Sequence, residues 1–111
     1  MPQVKLCNLD ELNDIDSRGF VLPKDDLEHD IFIVRNYNEI VGYKNSCPHN
    51  FAPLNWSSDI FLDQEQNYIQ CVNHGALFEI HDGTCIYGPC IGRSLSPIEI
   101  KIENNIIYAC I

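Results

Sequence analysis

The chain has 111 residues, 45% of them apolar, and carries 6 cysteines and a formal net charge of -9. One domain's worth of sequence, it can bury roughly two-thirds of its unfolded surface, and the apolar content excludes a disordered chain. No apolar run approaches the roughly 20 residues of a spanning helix, and nucleic-acid phosphates would repel so acidic a surface, so neither a membrane nor a nucleic-acid partner is expected.

Residues 1–10 show no basic leader and no continuous apolar stretch, so no export signal is read there and a cytoplasmic location is expected. Val4 and Leu6 predict an opening strand. Asn8 and Glu11 have capping-box spacing, which predicts one helical turn before Asp16. A hairpin is predicted from 31–35 through Asn36-Tyr37-Asn38 to 40–44. Residues 46–90 differ in kind: Pro48, Pro53, Gly75, Gly83, Gly88 and Pro89 punctuate them, and they hold four of the six cysteines. This stretch reads as an insertion with its chemistry in loops. Beyond it, Ile98, Ile100 and Ile102 alternate with Glu99, Lys101 and Glu103, the period of a half-buried strand. Asn104-Asn105 tolerates the positive φ of a tight turn, and 106–111 reads as the returning strand. No window sustains a helical period. The chain reads as all-β and as a single domain over 1–111, with a framework from 1–45 and 91–111 around the insertion.

Without an export signal, six cysteines point to metal or redox chemistry rather than a disulfide framework. Two short segments each supply one cysteine and one histidine: Cys47-Pro48-His49 and Cys71-Val72-Asn73-His74. One thiolate and one imidazole per loop is the pattern of a Rieske centre, in which two Cys hold one iron and two His the other. Two thiolates cancel the formal charge of the oxidised cluster core, whereas four would leave it negative. A neutral centre takes an electron more readily. Structural zinc is the competing reading of two Cys and two His, but zinc sites commonly keep like ligands together, two to four residues apart.

The sequence resembles the small Rieske [2Fe–2S] ferredoxins and ferredoxin-like proteins, including electron donors of bacterial oxygenase systems. The likeness runs from Val4 to Tyr108 and is most specific at Cys47-Pro48-His49, Cys71-Val72-Asn73-His74-Gly75, Asp82-Gly83-Thr84-Cys85 and Gly88-Pro89-Cys90. The resemblance implies a Rieske-like antiparallel β-sandwich base domain with an inserted cluster-binding subdomain. It also implies one [2Fe–2S] cluster per chain, held by Cys47, His49, Cys71 and His74, with the Gly88-Pro89 turn as a third loop over the cluster. The expected activity is one-electron transfer from a reductase to a terminal enzyme such as an oxygenase, with no catalytic residues of its own. The redox partners are the expected partner proteins, and the acidic surface either suits a basic face on one of them or serves solubility alone. The alternatives are a small subunit of a reductase complex, a redox sensor, or a zinc-bound interaction module.

The chain also departs from the family pattern. Positions 50 to 70 separate His49 from Cys71, a long spacer whose excess is expected in an exposed loop around 57–67. Family members usually have glycine where this chain has Phe51. Phenylalanine takes a positive φ only at a cost, so either the first loop runs differently or the ring caps the cluster. The disulfide brace of the respiratory Rieske proteins is lacking, since the matching positions are Ala52 and Asn73. Where high-potential members supply Ser and Tyr hydroxyl donors, this chain has Ala76 and Phe78, which implies a low potential. Cys7 and Cys110 read as buried small hydrophobes. Cys85 and Cys90 could pair with each other or tune the site. His29 and His81 read as surface residues, and Trp56 as packing beneath the cluster loops.

Overall fold

Alternating apolar and polar residues make strands of most of the two ends of the chain. The computed structural model describes residues 3–24, 27–55, 59–72 and 75–111. Within them lie β1 (Gln3–Asn8), β2 (Ile15–Lys24), β3 (Leu27–Asn36), β4 (Glu39–Lys44), β5 (Ile69–Gln70), β6 (Leu77–Phe78), β7 (Cys85–Tyr87), β8 (Pro97–Glu103) and β9 (Ile106–Cys110). A single 3₁₀ turn, Leu9–Glu11, follows β1. There the Glu11 carboxylate accepts the Asn8 N–H at 2.7 Å, one arm of the predicted capping box.

All the strand pairs are antiparallel. Six strands form one sheet in the order β1-β9-β8-β4-β3-β2. Among the described residues its two halves pair at Gly42↔Ile98 and Tyr43↔Pro97, with Lys44 N–H donating to the Ser96 carbonyl at 2.9 Å beside them. At that narrow seam the sheet folds back on itself. Cys7, Leu12 and Ile107 from one half pack with Ile33 from the other, while Ala109 packs with Leu22 and Ile31. This is the sandwich expected of the framework. The Asn104-Asn105 turn takes φ of 51° and 66°, as a two-residue hairpin requires.

Three features differ from the sequence-based expectation. Strand β2 had no counterpart in it, because Asp16, Arg18 and Gly19 break up its apolar alternation. It nevertheless pairs along its whole length with β3, and as an edge strand it tolerates Pro23. The β3–β4 turn has two residues rather than three, since Asn36 pairs with Glu39. The long spacer is also more than an exposed loop. The Ser17 hydroxyl donates to the Asp59 carbonyl at 2.7 Å, and the Asp59 carboxylate accepts the Gly19 N–H at 3.0 Å. Phe61 then stacks on Phe32 with ring centroids 4.3 Å apart, which fastens the spacer to β2 and β3.

The short strands form a second sheet, β5-β6-β7. Its core is continuous with one face of β3 and β4. Phe32, Val34 and Tyr43 pack with Leu54, Phe61, Ile69, Phe78, Leu95 and the cysteines Cys47, Cys71, Cys85 and Cys90. The Tyr43 hydroxyl donates to the Ile80 carbonyl at 2.6 Å. Burial raises the Tyr43 pKa far above its ordinary value, so this hydroxyl remains a donor across the physiological range.

Candidate metal centre

Two loops emerge from this core, and they follow one hydrogen-bond plan. In the first, Cys47 N–H donates to the Ala52 carbonyl at 2.8 Å and Phe51 N–H returns to the Cys47 carbonyl at 2.7 Å. In the second, Cys71 N–H donates to the Ala76 carbonyl and Gly75 N–H returns to the Cys71 carbonyl, both at 2.9 Å. Each loop closes through a residue in the left-handed region, Phe51 at φ 62° and Gly75 at φ 68°. Phe51 therefore follows the path of its glycine counterpart. Its ring is 78% exposed, so it points into solvent and covers nothing in the core. The Asn50 side chain supports this turn by accepting the Ala52 N–H at 3.1 Å.

The loops are tied together at their base. Val72 N–H donates to the Leu54 carbonyl at 2.9 Å, and Leu54 N–H donates to the buried Asn45 side chain at 2.7 Å. Asn45 Nδ2 donates in turn to Asn55 and Asp30. One satisfied amide thus fixes the exit of the first loop against the β3–β4 face.

Within this frame Cys47 and Cys71 are buried, at 1% and 0% exposure, in one core, and His49 lies exposed beside the first. His74, the fourth sequence-predicted ligand, lies outside the described residues, as do Trp56 and Asn73. Buried sulfurs next to an imidazole at the surface suit an iron–sulfur cluster with one shielded and one solvent-facing iron. Ala76 and Phe78 are fully buried, and neither side chain can donate a hydrogen bond.

A third segment clasps both loops. Gly88, at φ 97°, lies so close to Ala76 that an added Cβ would sit 2.9 Å from the Ala76 Cα. Arg93 Nη1 donates to the Pro48 carbonyl at 2.7 Å. Between these contacts, Cys90 places its sulfur 3.5 Å from Cys47 Sγ. The His49 backbone N–H also donates to Cys90. Burial pushes the Cys90 thiol up to about 12, and the Cys47 sulfur beside it pushes the same way.

Cys85 and Cys90 are not bonded to each other. The Cys85 thiol donates to the Tyr87 carbonyl at 3.3 Å, while Cys90 has turned to Cys47. The sequence placed Cys90 in the right region but not against a particular ligand, because that contact joins residues 43 positions apart. Cys7 and Cys110 are buried, as expected. His29 is half-buried, and His81 is exposed between Glu79 and Asp82. Among the described residues no helix is long and apolar enough to cross a membrane.

Paired Cys loops on a small sheet, clasped by a Gly-Pro turn and carried by a folded-over antiparallel sheet, define a Rieske-type iron–sulfur protein. The Rieske [2Fe-2S] domain family profile matches residues 3–102, so the chain belongs to that family, whose cofactor is a [2Fe–2S] cluster. No curated protein matches the sequence. The fold is similar to the ferredoxin of carbazole 1,9a-dioxygenase from Nocardioides aromaticivorans IC177, with a TM-score of 0.74 and 19% identity over 99% of this chain and 98% of that one. It is also similar to a Sphingomonas yanoikuyae B1 ferredoxin, with a TM-score of 0.69 and 21% identity over 99% and 97% of the two chains. The terminal oxygenase of carbazole 1,9a-dioxygenase from Novosphingobium sp. KA1 contains the same fold, with a TM-score of 0.77 and 14% identity. There the match covers 98% of this chain and 29% of that one.

Proposed function

We propose that the chain is a one-electron carrier that takes an electron from a reductase and delivers it to a terminal enzyme such as an oxygenase. Cys47 and Cys71 are the ligands of one iron, and His49 and His74 of the other. The observation that carries this reading is the matched pair of loops, which brings both cysteines into one buried core with His49 at its surface. When bound, the cluster supplies a reversible one-electron couple. The residues around it do the rest. The buried cysteines exclude water from the sulfur side, and the exposed His49 offers the short edge through which an electron leaves. Similarity to the ferredoxin of a carbazole dioxygenase supports an oxygenase as the acceptor.

The potential is proposed to lie near the lower end of the Rieske range, roughly -150 mV. Buried Ala76 and Phe78 offer no hydroxyl to stabilise the charge added on reduction. Purified protein should contain iron and acid-labile sulfide in equal amounts. After reduction by a nicotinamide-linked ferredoxin reductase, it should be reoxidised in stopped flow by a Rieske oxygenase. Zinc as the dominant metal after iron–sulfide reconstitution would overturn the cluster. A loaded protein that exchanges no electrons with either partner would overturn the carrier, and a clearly positive midpoint would overturn the low potential.

A further inference from the structure

Cys90 is a fully buried cysteine that the proposed ligand set does not use, yet its sulfur lies 3.5 Å from that of Cys47. Its surroundings fix its role. In that contact either sulfur could donate, but with Cys47 on iron as a thiolate only Cys90 has a hydrogen to give. A buried thiol has one hydrogen to give, and Cys47 Sγ lies within reach of it. From the other side Cys90 accepts the His49 backbone N–H, which polarises the thiol further. The neighbouring Cys85 does not compete, because its own thiol is committed to the Tyr87 carbonyl.

We infer that Cys90 is a tuning residue for the cluster, its S–H donating to Cys47 Sγ and so favouring the reduced state. This rests on Cys47 being a cluster ligand, and it extends that reading to a residue outside the ligand set. A thiol is a weak donor, so the effect is a modest correction within a low potential. The clasp geometry holds it in place: Gly88 seats the segment on the second loop and Arg93 ties it to the first.

The test is a redox titration of wild type, Cys90→Ala, Cys90→Ser and Cys90→Val, each first shown to carry full iron and sulfide. Cys90→Ala should lower the reduced-to-oxidised ratio at a fixed potential about threefold, a fall of about 28 mV at 59 mV per tenfold change for one electron. Cys90→Ser retains a donor and should recover part of that loss, whereas Cys90→Val, which fills the space without a donor, should not. An Ala variant that is fully loaded and titrates with wild type overturns the inference. If the Ala variant assembles no cluster, the reduced-minus-oxidised infrared spectrum of wild-type protein decides. A deuterium-sensitive S–H stretch that moves to lower wavenumber on reduction supports the bond, and its absence overturns it. Wild-type protein without iron and sulfide would instead overturn the cluster reading itself, so the two failures are distinct.

Discussion

The two cluster loops have the same hydrogen-bond ring and the same sign of φ at the closing residue, but they meet that geometry with opposite chemistry. The second loop uses Gly75, for which φ 68° is free of strain and around which an added Cβ would find open space. The first uses Phe51 at φ 62°, where a bulky side chain is disfavoured. The tertiary frame decides the path. Both loops leave the same core, their bases are joined by the Val72–Leu54 hydrogen bond, and the Asn50 side chain props the strained turn. The lesson is that a loop closed at both ends by backbone hydrogen bonds can hold a residue whose own preference points elsewhere.

If the loops are equivalent supports for one centre, the largest effect must be the same from either side. Cys47→Ser and Cys71→Ser should each abolish cluster assembly, because a neutral hydroxyl cannot replace a thiolate on iron. Iron and sulfide analysis after reconstitution checks this, with His81→Ala as a control expected to load fully. Assembly in one of the two serine variants alone would break the symmetry. Next in size is the clasp. Gly88→Ala combines a positive φ with a Cβ driven into the Ala76 backbone, and overpacking plus left-handed strain should cost about 2–4 kcal/mol. Chemical denaturation of the apo-protein measures it. A loss under about 1 kcal/mol would mean that the third segment lifts away from the second loop.

How much of this was legible in the sequence depends on how local each feature is. The Ile98–Ile102 alternation, the Asn104-Asn105 turn and the Cys-x-His and Cys-x-x-His spacings are local, and each was readable. Strand β2 was not, since its partner supplies the order that its own composition lacks. Asp59 looked like one of several acids in a polar loop, yet it anchors the spacer to Ser17 and Gly19, which precede it by 42 and 40 positions. The same holds for Cys90, whose role depends on a contact that only the folded clasp creates. The loop around Phe51 was legible as an anomaly, but the structure follows neither expected outcome: the loop keeps its path and the phenylalanine is exposed.

A smaller effect tests the second loop alone. Gly75→Ala meets no atom within 4 Å, so its cost should be the left-handed strain of about 1–2 kcal/mol less the about 0.5–1 kcal/mol by which alanine restricts the unfolded chain, a net loss of about 0.5–1 kcal/mol. Thermal unfolding of the apo-protein reads it out, and a loss well above that would reveal a packing role for this glycine that the open surroundings do not indicate.

The reverse change in the first loop is the smallest effect and the sharpest check on the comparison. Phe51→Gly relieves the left-handed strain, worth about 1–2 kcal/mol. It also gives the unfolded chain more freedom, which costs about 0.5–1 kcal/mol. Little hydrophobic burial is lost, because the ring is already 78% exposed. The net should be a gain of about 0.5 kcal/mol, opposite in sign to Gly75→Ala, and visible as a higher denaturant midpoint with an unchanged slope. A loss of 1 kcal/mol or more would mean that the ring packs on something and that the loops are not equivalent. With the predicted sign, the phenylalanine is a residue the fold does not need. Its place beside His49 then makes electron exchange with an oxygenase the measurement to compare. A slower reoxidation of the more stable variant, at unchanged midpoint potential, would assign the exposed ring to contact with the partner.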